Sequence, residues 1–180
     1  MPEALLPVTE DTPCNPITHN GVSKCAQTML GPVHAKAGLR VLIARIFNPV
    51  GEGMPGGLAL ANFAAQIRNG SDALAVGNLN VARDFIDVTE AVRLIAALAS
   101  RPLNYGQVFN ICSGTAFLLR TLVEDMIRLS GREVRLEVVS ERVRSGEMRT
   151  FYGDVSRLRA AGLVVQAPDF SQILPKLLVA

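Results

Sequence analysis

Apolar positions along this chain alternate between helical and extended spacing. From Gly21 to about Ala37, Val22, Cys25, Met29, Leu30 and Val33 recur at helical intervals. Gly31-Pro32 interrupts that run. An interior proline removes a backbone donor and crowds the preceding turn at about 3 kcal/mol, so a kink or break is expected there. Arg40 to Phe47 is a continuous apolar run rich in β-branched residues, which reads as a strand buried on both faces. Residues 48–57, with four glycines and two prolines, read as a loop. A helix is expected over 58–69, then short extended pieces at 73–78 and 81–86. Thr89 is placed to cap a helix running to about Ser100, with Glu90 in its first turn. Residues 107–112 form a second buried-type strand, and 118–129 an amphipathic helix closed by Gly131. Residues 134–139 alternate as a half-exposed strand, and two short helices follow, over 155–161 and from Phe170 to the end. The proline-rich stretch 1–19 reads as a loop. Strands alternating with helices imply an α/β fold with parallel strands.

Composition narrows the partners. The chain has 180 residues, 49% hydrophobic and 19% charged, enough to bury a core. A net charge of +2 with dispersed basic residues does not make a nucleic-acid surface. The one modest cluster, Arg142, Arg144, Arg149, Arg157 and Arg159, reads first as a solvated face and second as an anion site. No apolar run is long enough for a membrane span, and no leader pattern opens the chain. Cys14, Cys25 and Cys112 form no metal-ligand spacing with His19 or His34. No metal site is expected, the thiols read as reduced, and the setting as cytoplasmic.

Six ordered patterns carry a family resemblance. They are Pro7-Val-Thr-Glu10 with Pro13 and Pro16; Asn20-Gly-Val-Ser-Lys24; and Ala44-Arg-Ile-Phe-Asn48 with Gly51 and Gly53. Further along come Val76-Gly-Asn-Leu with Arg83-Asp-Phe-Ile-Asp-Val88; Val108-Phe-Asn-Ile-Cys-Ser-Gly114; and Arg144-Ser-Gly-Glu147 with Gly153-Asp154. Each alone is weak, but the set in this order resembles the extended short-chain dehydrogenases/reductases, the NAD-dependent epimerase/dehydratase family. The Arg83 and Val108 segments are most similar to GDP-mannose 4,6-dehydratases and GDP-4-keto-6-deoxymannose reductases, with generic sugar epimerases next.

The resemblance implies hydride transfer between NAD or NADP and C4 of a nucleotide-linked hexose, GDP-hexose being favoured. By the same resemblance, Lys24 contacts the nicotinamide ribose and lowers the pKa of a catalytic Tyr, and the backbone at Ile46 and Phe47 touches the nicotinamide. Asn48, Arg83 and Arg144 hold the diphosphate, and Glu147 a ribose hydroxyl. Asn20 stands where the family has that Tyr. An amide has no proton to give near neutral pH, and such acid–base help is typically worth about 10²–10⁴-fold. His19 is one residue off this register and reads as an exposed loop residue. Asp84 and Asp87 read as structural, as caps or arginine partners, and Asn110 as strand-end hydrogen bonding.

No Gly-x-x-Gly-x-x-Gly occurs in the chain, and the nearest candidate, Gly51-x-Gly53, belongs by the resemblance to the substrate loop, so the backbone cradle that a dinucleotide pyrophosphate needs is expected to be missing. The expectation is a truncated, Rossmann-like doubly wound sheet lacking its first strands, plus a small substrate-binding lobe. Residues 1–57 and 88–114 would form the Rossmann remnant, and 58–87 and 115–180 the lobe. The chain alone is expected to be catalytically silent. The strand at 40–47 would lack a neighbour and lead to homo-oligomers, pairing with a second chain or marginal stability; the resemblance implies a dimer surface on the helix at 21–37, which the alternative reading retains. The alternative reading is a non-catalytic nucleotide-sugar-binding or interaction protein.

Overall fold

A computed structural model describes residues 5–142 and 146–179. Helix α1 (His19–Lys36) opens the ordered elements. Thr18 caps it, its hydroxyl accepting from the Gly21 N–H, and His34 and Lys36 sit favourably in its last turn. The expected break at Gly31-Pro32 does not occur; the helix continues for a further turn past Pro32. Packing overrides propensity here. Gly31 is buried against strand β1, where an added Cβ would lie 2.4 Å from Ile43 Cγ1. Only a bare backbone lets the helix lie that close.

Strand β1 (Ile43–Ile46) pairs in parallel with β5 (Val108–Ile111), Ile43 opposite Val108 and Ile46 opposite Ile111. The strand is shorter than the apolar run, and it is not buried on both faces: Ile46 is exposed and its neighbours half-buried. Among the described residues β1 has β5 alone as a partner, so no second neighbour shields it. Past Phe47 the chain enters β2 (Asn48–Val50), a strand inside the stretch expected to be loop. Pro49 is tolerated there because β2 pairs on one edge, in parallel with β4 (Ala82–Asp87). Strand β4 also takes β6 (Ala116–Leu118) antiparallel and β8 (Thr150–Phe151) parallel, neither of which the sequence pattern reveals. A separate parallel pair joins β3 (Ala73–Val76) to β7 (Arg135–Val138).

Strand β4 runs without a loop into helix α3 (Val88–Ala99). The cap is Asp87, whose carboxylate accepts from the Thr89 N–H at 2.7 Å, rather than Thr89 itself. Helices α2 (Ala59–Arg68), α4 (Leu119–Ser130), α5 (Ser156–Ala160) and α6 (Phe170–Val179) lie where the spacing places them. Gly131 ends α4 at φ 67, the left-handed cap that glycine takes without penalty.

Two apolar cores result. One joins α2, β3, α4 and α6 through Leu60, Phe63, Leu74, Met126 and Leu174. The other joins β5, α3 and α5 through Leu94, Leu98, Phe109, Ile111 and Leu158, with Ala44 of β1 against it. Strands β2 and β4 run between them, Val50 and Phe85 facing the first core and Ile86 the second.

Candidate functional site

A cleft of about 650 Å³ opens beside the first core, within the range of small-molecule sites. Its walls include Asn48 of β2, Leu58 ahead of α2, Arg83 of β4, and Arg142 and Glu147 beyond β7. Phe47 is among the lining residues and stacks on Phe151, centroids 5.5 Å apart.

Arg83 is held from three directions. Its guanidinium donates to the Ala82 and Met148 carbonyls, both at 2.9 Å, and to Glu147 Oε1 at 3.0 Å. The β4–β8 pairing sets Arg83 opposite Phe151 and so aligns it with the segment carrying Glu147. Asn48 donates from Nδ2 to the Asp84 carbonyl at 2.7 Å, which fixes the β1–β2 junction to β4.

Asp84 is the anchor behind Arg83. Its fully buried carboxylate accepts from Ser113 N and Oγ, Gly114 N and Gly153 N, at 2.7–3.1 Å. Burial raises its pKa, opposed by these hydrogen bonds. Burial and the nearby Asp84 likewise push the Cys112 thiol up, which leaves it an inert core group.

Two cleft features escape the sequence reading. The first is the start of α2: Leu58 offers no capping side chain, no acid lies in the first turn, and Leu58, Ala59 and Leu60 line the cleft. Among the described residues no side chain caps the helix, so its first turn, with the positive end of the helix dipole, lies at the cavity wall. Gly56-Gly57 before an uncapped helix was the available signal. The second is Arg142, fixed by donating to the Ala75 carbonyl at 2.6 Å. Its place in an arginine cluster was visible, its direction was not.

Phe47, Asn48, Arg83 and Glu147 thus meet in one cleft. Lys24 does not line it; it is exposed on α1 and donates to Gln27 Oε1 at 3.3 Å. Asn20 and Ile46 are exposed and also outside the lining, as is His19 at the start of α1. Arg144 lies outside the described residues. Among the described residues no cluster of His, Cys, Asp and Glu could hold a metal ion, and no helix is long and apolar enough to cross a membrane.

Parallel strands joined through helices, with a cleft beside a strand junction, define a Rossmann-like α/β chain. A profile of the NAD dependent epimerase/dehydratase family matches residues 2–112. GDP-6-deoxy-D-mannose reductase of Pseudomonas aeruginosa is 35% identical over 164 residues, covering 87% of this chain and 53% of that protein. The structure of RMD from Pseudomonas aeruginosa, complexed with NADPH, superposes with a TM-score of 0.88 at 32% identity, covering 99% of this chain and 61% of that one. A putative epimerase from Burkholderia cenocepacia gives 0.79 at 27% identity, covering 95% and 57%. The chain belongs to the NAD-dependent epimerase/dehydratase family, and it spans about half the length of the curated relatives it matches.

Proposed function

We propose that this chain is the substrate-side part of a nucleotide-sugar reductase, dehydratase or epimerase, and that it binds a nucleotide sugar in the cleft. The observation that carries the reading is the convergence of Arg83, Arg142 and the uncapped start of α2 on one cavity. A planar guanidinium and a helix N-terminus both suit a diphosphate. In this reading Arg83, Asn48 and Arg144 hold the diphosphate and Glu147 a ribose hydroxyl, and a GDP-hexose is the favoured ligand because of the P. aeruginosa reductase. The lobe comprises 58–87 and 115–180, and 1–57 with 88–114 the Rossmann remnant. Leu158 and Leu163 tie the 156–163 segment back to that remnant.

NAD or NADP would supply hydride at the sugar C4. By the resemblance Lys24, Ile46 and Phe47 would meet it; Lys24 and Ile46 are exposed outside the cleft, and Phe47 is among the cleft-lining residues. With Asn20 in place of a proton donor, these 180 residues bind sugar nucleotide without turning it over. The expected setting is cytoplasmic.

Parallel calorimetric titrations with GDP-mannose and NADPH test this. Micromolar binding of GDP-mannose alone is the expected result. Binding of neither ligand, or turnover when both are added, overturns it. A second reading, an interaction protein, is favoured by Val22, Met29, Leu30 and Val33, all more than half exposed on α1.

A further inference from the structure

The proposed diphosphate site, on which this inference rests, already contains an anion. Arg83 and Glu147 form an ion pair at 3.0 Å inside the cleft, their side chains 20% and 22% exposed. Two backbone carbonyls fix the other guanidinium nitrogen, so the guanidinium cannot follow a ligand outward. Among the described residues the Glu147 carboxylate accepts from Arg83 alone, and its residual exposure leaves it a path to solvent. The cleft charges also balance: Arg83 and Arg142 stand against Glu141 and Glu147.

A phosphate that binds Arg83 must share the guanidinium with Glu147. Two anions cannot share one edge of a guanidinium without repulsion, and a carboxylate left beside a phosphate in a partly desolvated cleft is costly. We propose that Glu147 is a built-in competitor, an autoinhibitory anion that the ligand's phosphate displaces from Arg83. The site then holds itself closed to weak anions and opens to a diphosphate, whose greater charge replaces the lost pair. Displaced, the carboxylate turns to solvent or to a neutral hydroxyl of the bound ligand.

The test compares the wild-type chain with Glu147→Gln by calorimetry, using GDP-mannose and the uncharged nucleoside guanosine. Partly exposed ion pairs contribute modestly, so Glu147→Gln is expected to bind GDP-mannose about three- to tenfold tighter, whereas guanosine, which has no phosphate to compete with the carboxylate, gains no affinity. Binding by the variant alone, with none by wild type, overturns it, because the ligand's phosphate would then fail to displace the carboxylate. Unchanged or weaker GDP-mannose binding by Glu147→Gln, with wild type still binding, overturns the competitor role and leaves the site itself standing. Absence of GDP-mannose binding by both proteins overturns the site and this inference together. If circular dichroism shows Glu147→Gln to be unfolded, Glu147→Asp retracts the carboxylate by one methylene and carries the same expectation.

Discussion

Two carboxylates decide much at the level of single residues. Asp84 spends each oxygen on two donors, Oδ1 on Ser113 N and Oγ, Oδ2 on Gly114 N and Gly153 N. An amide in its place would aim N–H₂ at the two glycine donors and leave them unpaired in the interior. Asp84→Asn should therefore cost about 2–3 kcal/mol in a urea melt at neutral pH, and a loss below 0.5 kcal/mol would contradict this account. Glu90 shows the opposite balance. Burial opposes its ionisation, yet the Arg93 hydrogen bonds and the Gln166 N–H prevail and hold its pKa below the usual 4.5. A depressed carboxyl pKa adds stability that is present above the unfolded value and is lost as pH falls through the folded one. Glu90→Gln should thus lower Tm by a few degrees at pH 7, with the gap to wild type narrowing below about pH 4.5. A gap that stays constant to pH 3 would sink the assignment.

Elements, rather than residues, shape the cleft. The turn after β3 lies against the segment after β7, and a Cβ on Gly77 would meet the Arg142 carbonyl oxygen at 2.5 Å. That neighbour is backbone and cannot rotate away. Gly77→Ala should destabilise the fold by about 1–3 kcal/mol and weaken GDP-mannose binding by displacing Arg142, as read by melting and calorimetry. Equal affinity in a folded variant would show that Arg142 does not contribute. This contact joins residues 65 apart, which is why no local pattern announces it. The same limit explains what was and was not legible at this scale. Helices α2, α4 and α6 could be read because each presents an apolar stripe, and β5 because it is a short apolar run. Strands β6 and β8 are three and two residues long and exist only because β4 offers them an edge. The unbroken α1 was missed because Gly31 serves packing against Ile43, an effect that propensity does not contain. For the cleft, Arg83 and Asn48 were visible as residue types at strand positions. The Arg83–Glu147 pairing was not, since it spans 64 residues and depends on β8 lying beside β4.

At the scale of the whole molecule, the two edges of the β1–β5 pair are treated differently. The outer edge of β5 is closed: the Asn110 N–H donates to Glu10 Oε1 and its side chain to the Val8 carbonyl. Glu10 is itself buried beside Arg157. The outer edge of β1 has no such cover among the described residues. Ile43 and Phe47 turn their N–H groups to β5, so those of Ala44 and Ile46 point away from it. Next to this bare edge, α1 exposes Val22, Met29, Leu30 and Val33. An open apolar strand beside an apolar helix face is a template for another chain. The purified chain should therefore sediment with a mass that rises with concentration. Ile46→Lys should shift it toward monomer with unchanged helix content, because a charge on the edge strand blocks pairing without touching either core. Ile46 is already exposed, so the substitution removes little packing. A wild-type chain that remains a stable monomer at high concentration would show that something in the chain itself covers the edge, and pairing through residues 40–47 would then be abandoned.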